Sequence, residues 1–201
     1  MNKIVWFRYD LRLIDNEAFL NATKDGNILP IFIFDEGYFK LEVSSSFHLK
    51  FIIESIDELD SKVEVVELSD QNKTDLEKSL DYCKKNSIKK VVILGSTGLR
   101  EDHSMANVLI ASTYSDILQI ELITSFYRII FVRENTKINA HNETVSIISL
   151  SSDNKITTSG LKYDLNNEKL KSFSHGISNE VNGDSFTVKA ESTIVVFIGI
   201  K

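Results

Sequence analysis

The hydrophobic pattern of this 201-residue chain changes period once, near residue 119, and that change restricts the fold more than any other feature. Upstream of it, short apolar runs alternate with helical patterns. Residues 3–8 (KIVWFR), 28–34 (ILPIFIF), 63–67 (VEVVE) and 90–94 (KVVIL) are short, apolar and rich in β-branched or aromatic side chains, which predicts strands. Between them Asp15 can cap a helix over 16–24, Ser44 to Ser46 can start one running to about Asp60, and Thr74 can cap one from Asp75 to Asn86. In the second of these, Phe47, Phe51, Ile52, Ser55, Ile56 and Leu59 fall on one face at a spacing of three to four.

Strands alternating with helices imply a parallel sheet covered on both faces, so residues 1–118 are expected to form an α/β, Rossmann-like domain. From Gln119 the helical period disappears. Strand patterns at 119–124, 128–133, 144–150, 155–159, 185–190 and 193–199 are separated by polar turns, which predicts a small antiparallel β-sandwich domain over 119–201. No internal repeat and no low-complexity linker separates the two.

Hydrophobic residues at 42% and charged residues at 26% are ordinary for a packed globular chain and exclude a disordered or collagen-like one. The 29 acidic and 23 basic side chains leave a net charge of −6, which disfavours non-specific nucleic-acid binding and requires any phosphate site to be local. The longest apolar runs fall far short of the roughly 18 residues that span a bilayer. With no signal-peptide pattern, one cysteine (Cys83) and four histidines lacking zinc spacing, the expectation is a cytoplasmic protein in a reducing compartment, not a membrane one. Cys83 reads as a small core side chain, and Lys84, Lys85, Lys89 and Lys90 as a solvated helix end.

In parallel α/β sheets ligands bind beyond the carboxyl ends of the strands. Four stretches stand there: Arg8, Asp10 and Arg12; Asp35 and Glu36; Asp70 to Asp75; and Gly95 to His103. In GSTGLREDH two glycines precede the helical pattern MANVLIAS, so backbone N–H groups and Arg100 can meet a phosphate. The plain alternative is a tight turn with Glu101 and Asp102 offsetting the helix dipole. In DQNKTDLEK, Asp75 can hold Mg²⁺, which takes one or two carboxylates plus substrate phosphates; equally, Thr74 and Glu77 make a capping box.

Taken in order, DQNKTDLEK at 70–78, LGSTGLREDHSMAN at 94–107, TSGLKYDL at 158–165 and SNE at 178–180 resemble the motifs of thiamine pyrophosphokinase over residues from about 63 to 201. The resemblance implies a homodimeric, Mg²⁺- and ATP-dependent enzyme that transfers a pyrophosphoryl group to thiamine and releases AMP. No flavin is expected. Carried over by residue, Asp75, Asp102 and Arg100 are the catalytic candidates, with Asp75 at the metal; Gln71, Thr74, Lys78, Gly95 and Gly98 are expected at the nucleotide. Asn107, Ser159, Gly160, Leu161, Ser178 and Asn179 are expected on the thiamine side, where simple turn chemistry is the alternative for Ser159 and Asn179.

The first third departs from that family: its Asp-Gly motif and its Gly-Asp-x-Asp-Ser metal motif are absent. Residues 3 to about 62 instead resemble the start of a DNA photolyase or cryptochrome, through WFRYDLRLIDNEAF at 6–19, LPIFIFD at 29–35 and FHLKFIIESIDEL at 47–59. The chain thus reads as a chimera joined near 60–69. Asp10 and Asp35 are the carboxylates able to stand in for the missing pair, although a structural ion-pair network is the plainer reading of Arg8, Asp10 and Arg12. Two further readings follow: a non-catalytic binding or structural module, and, more remotely, an antenna-chromophore binder.

Overall fold

The computed structural model describes residues 3–7, 28–32, 54, 70, 72–98 and 100–200, with only the backbone of the first two segments. The chain divides into two compact units, Met1–Gly95 and Ser96–Lys201. The helices expected at 16–24 and 44–60 and the strand at 63–67 lie outside the described residues, except that Glu54 is helical and exposed.

In the first unit β1 (Lys3–Phe7) and β2 (Ile28–Phe32) pair in parallel, from Lys3 opposite Ile28 to Phe7 opposite Phe32. Pro30, the sole proline, sits in β2, which pairs with β1 alone among the described strands. Helix α1 (Asp75–Lys85) presents Leu76, Ser79, Leu80 and Cys83 inward at a spacing of three to four. It is followed by β3 (Lys90–Leu94), which buries Val91 and Ile93 and lies beside β1.

The second unit opens with α2 (Glu101–Tyr114) and continues as strands alone. These are β4 (Gln119–Ile123), β5 (Tyr127–Val132), β6 (Thr136–Asn139), β7 (Thr144–Ser149), β8 (Lys155–Ser159), β9 (Glu168–Lys169), β10 (Asn179–Glu180), β11 (Ser185–Ala190) and β12 (Ile194–Gly199). They run β10-β7-β12-β5-β4 on one side and β6-β11-β8-β9 on the other, with antiparallel pairing throughout. Val196 of β12 stands between Ile130 of β5 and Ile147 of β7. Alternation puts Val145 and Ile147, Ile156, Phe186 and Val188, and Ile194, Val196 and Ile198 into one core shared by the two sheets.

The six strands expected after residue 119 are present, with ends displaced by one residue at most. Strands β6, β9 and β10 were not expected: β9 and β10 have two residues each and β6 buries only Ile138, too little to make a period. The boundary between the two units falls at Gly95–Ser96. In the second unit the buried Asn107 amide of α2 donates to the Ser96 carbonyl at 2.8 Å, and α2 packs on β4. The parallel pairing expected of the first part is seen at β1–β2.

Candidate functional site

The candidate residues fall into three groups. The first is the start of α1, where Thr74 is the N-cap: its hydroxyl accepts from the Glu77 N–H at 3.3 Å, and the Glu77 carboxylate accepts from the Thr74 N–H at 2.9 Å. This reciprocal box satisfies two of the helix's orphan donors and fixes where Asp75 begins. Asp75 is one-third exposed and pairs with Lys78 at 3.5 Å. The carboxylate expected at the metal and the lysine expected at the nucleotide are therefore partners. Among the described residues no group of three histidine, cysteine or acidic side chains is close enough to hold a metal ion. Gln71, Asp10 and Asp35 lie outside the described residues.

The second group is the loop between β3 and α2. Gly95 and Gly98 have φ of +68° and +111°, and Gly98 donates its N–H to Ser104 Oγ at 3.1 Å. Only glycine takes such φ values cheaply, so the residue type follows from the turn. The N-cap of α2 is Arg100, which makes no side-chain capping bond. Its guanidinium instead holds Asp102 with two bonds, Nη2 to Oδ2 at 2.5 Å and Nε to Oδ1 at 3.1 Å. That fork, and next the His103 N–H, hold the Asp102 carboxyl down at about 2. The same fork pushes Arg100 up. Asn107, expected at the substrate, is buried against the Ser96 carbonyl. Ser96 itself is 1% exposed, and its hydroxyl has no hydrogen-bond partner among the described residues.

The third group lies at the edge of the sandwich. Ser159 ends β8 and is exposed, Gly160 has φ of +95°, and Leu161 is buried and bridges Val181. A Cβ on Gly160 would come within 2.9 Å of the Ser185 carbonyl oxygen, so this position is closed to larger residues by space as well as by φ. Ser178, at φ +60°, donates its N–H to Ser146 Oγ at 3.0 Å. Asn179 bonds the backbone of Tyr163, which brings the SNE and SGLKYDL segments together. Beside them opens a cleft of about 230 Å³ whose wall includes Tyr163, Asp164, Glu168, His175, Ile177 and Asn179. Tyr163 is 68% exposed there. An aromatic ring, carboxylates and apolar surface side by side suit a flat cation.

Sequence reasoning overlooked Ser96, Tyr163 and Asp164 as site residues. Tyr163 stood inside a quoted motif and was available from it. Nothing local distinguishes Ser96 or Asp164, whose significance comes from folded neighbours.

Comparison with known proteins gives two kinds of match. Residues 52–122 match the family described as Thiamin pyrophosphokinase, catalytic domain, and residues 129–195 match Thiamin pyrophosphokinase, vitamin B1 binding domain. Solved structures similar in fold include thiamine pyrophosphokinase from Bacillus subtilis, 21% identical, covering 100% of both chains with a TM-score of 0.77. The Candida albicans enzyme is 15% identical, covering 99% of this chain and 90% of its own, with a TM-score of 0.71. Yeast thiamin pyrophosphokinase, 13% identical, covers 100% and 86% with a TM-score of 0.70. Separately, 70 residues are 37% identical to Cryptochrome-1 of Aedes aegypti, 31% of this chain but 13% of that protein. Cryptochrome DASH of Ostreococcus tauri is 42% identical over 43 residues, 18% of this chain and 8% of its own length.

Proposed function

We infer that this chain, which carries the catalytic and vitamin B1 binding domains of thiamin pyrophosphokinase, binds Mg-ATP and thiamine and transfers a pyrophosphoryl group between them. The thiamine hydroxyl oxygen attacks the β-phosphorus of ATP and gives up its proton. The bond from that phosphorus to the α–β bridging oxygen breaks, and AMP leaves with the oxygen. The observation that carries this reading is the ordered pair of domain matches, 52–122 then 129–195.

Such chemistry asks a protein mainly for positioning and charge neutralisation. We assign Gln71, Thr74 and Lys78, with Gly95 and Gly98, to the nucleotide, the two glycines letting the backbone approach a phosphate. Arg100 and Asp102 stand at the transferring phosphates, Asp102 keeping the guanidinium oriented. Ser159, Gly160, Leu161, Ser178 and Asn179 line the thiamine side, and Asn107 supports the substrate by fixing the loop at Ser96. Asp75, a carboxylate paired with Lys78, fits a Mg²⁺ that brings most of its ligands from the nucleotide, not a dedicated protein cage. When bound, that ion neutralises phosphate charge.

The functional domains divide near residue 118, in keeping with family matches that end at 122 and resume at 129. On its WFRYDLRLIDNEAF, LPIFIFD and FHLKFIIESIDEL motifs we take the opening segment, 3 to about 62, as photolyase-like, and we take the working form as a homodimer. Incubation with Mg-ATP and thiamine tests the proposal: thiamine diphosphate and AMP are expected in equal amounts, and Asp75→Asn is expected to abolish them. The absent Gly-Asp-x-Asp-Ser motif favours a second reading, a module that binds without turnover. That reading predicts a ligand-dependent rise in melting temperature with no AMP formed, and the absence of any rise with thiamine or ATP removes both.

A further inference from the structure

Resting on the thiamine reading above, we propose that Asp164 is a positioning residue, whose carboxylate sets the backbone that faces thiamine. One side chain serves two successive peptide groups: Asp164 Oδ2 accepts from the Gly160 N–H at 3.2 Å, and Oδ1 from the Leu161 N–H at 3.1 Å. Oδ1 also accepts from the Thr158 hydroxyl at 3.0 Å. The hydroxyl oxygen in turn accepts from the Leu165 N–H at 2.8 Å, and the Thr158 N–H donates to the Leu165 carbonyl at 2.9 Å. The loop from 158 to 165 is thereby closed on itself.

The outer side of the loop is held by its neighbour segment. The Gly160 carbonyl accepts from the Asn182 N–H at 2.9 Å, and the Lys162 N–H donates to the Glu180 carbonyl at 2.8 Å. The inward N–H groups of Gly160 and Leu161 have no such strand partner, and the Asp164 carboxylate supplies it. Bonds to an ionised acceptor are roughly twice as strong as neutral ones. Without them Gly160, the least restricted residue type, keeps its φ of +95° through its carbonyl's bond to Asn182 and loses the hold on its N–H. Asp164 is exposed and adds no apolar surface to the core, so its loss loosens this loop and leaves the sandwich intact.

The test uses the full chain. Thiamine and ATP affinities are measured by calorimetry for wild type, Asp164→Ala and Asp164→Asn, with amide hydrogen exchange at Gly160, Leu161 and the core positions Val145 and Val196. Asp164→Ala is expected to bind thiamine about tenfold more weakly, as follows from losing bonds to a charged acceptor, with ATP affinity unchanged. Asp164→Asn keeps one acceptor oxygen and is expected in between. Exchange at Gly160 and Leu161 should speed up in both variants while the core amides stay protected. Wild-type thiamine affinity in Asp164→Ala, unchanged exchange at Gly160 and Leu161, or a parallel loss of ATP affinity overturns the proposal. Should Asp164→Ala fail to fold, Asp164→Asn decides by the same readings. A wild-type protein without thiamine affinity refutes the thiamine reading itself, and the exchange rates then still decide whether Asp164 holds the loop.

Discussion

Asn179 holds Tyr163 by both of its backbone groups: the amide oxygen accepts from the Tyr163 N–H at 3.1 Å and the amide nitrogen donates to the Tyr163 carbonyl at 2.7 Å. The same oxygen accepts from the Glu180 N–H at 2.9 Å, so both of its acceptor positions are taken. Asn179→Asp retains the acceptors but sets an anionic oxygen against the Tyr163 carbonyl. Expected is a loss of about 1–3 kcal/mol in urea unfolding together with weaker thiamine binding. Weaker binding at unchanged stability would instead make Asn179 a direct ligand contact.

Gly160 and Gly98 share a positive φ but not a neighbourhood. Around Gly160 a Cβ meets the Ser185 carbonyl oxygen at 2.9 Å and Phe186 Cα at 3.2 Å, both backbone atoms; around Gly98 nothing lies within 4 Å. Gly98→Ala is therefore expected to cost only the backbone conformation, of order 1 kcal/mol, and Gly160→Ala distinctly more. Chemical denaturation of the two variants side by side checks the order, and equal losses count against the close packing at Gly160.

Asp102 sets a pH expectation whose sign is fixed by the direction of its shift. A carboxyl lowered to about 2 by the Arg100 fork contributes stability that is fully present above the ordinary carboxylate range of roughly 4 and is lost as pH falls through about 2. Between pH 5 and 9 the group is expected to stay ionised and to add no pH dependence. Carbon-detected NMR titration should place its midpoint near 2 in wild type and nearer the ordinary range in Arg100→Ala. A midpoint that ignores the arginine would sink the assignment.

Burial of Cys83 pushes its thiol up to about 12, so the nucleophilic thiolate is scarce at any ordinary pH. A disulfide reagent at pH 8 is expected to leave the native protein unmodified and to react with one equivalent after unfolding. Rapid stoichiometric modification of the native protein contradicts this.

Legibility in the sequence followed the range of the interaction. The capping box at Thr74 and the ends of α1 were readable because both partners lie within three residues. The strands after 119 were readable because short runs rich in β-branched residues, five or six long, stand between polar turns. Asp164 looked like an ordinary polar residue before a leucine, since its value lies in where a loop turns its N–H groups. The bond of the Asn107 amide to a carbonyl eleven positions earlier was not legible, because no period reveals it. The missing metal motif was legible as an absence.

The position of β12 has a consequence for the order of events in the cell. Its partners β5 and β7 end at Val132 and Ser149, well before it begins at Ile194, and it is the strand that joins them. Until residues 194–199 leave the ribosome, both partners present open edges, the state in which β proteins associate wrongly. Nascent chains arrested before Ile194 are accordingly expected to stay protease-sensitive in this unit. The sandwich is then an assembly event timed by synthesis of its last strand, not a gradual accretion from the N-terminal side.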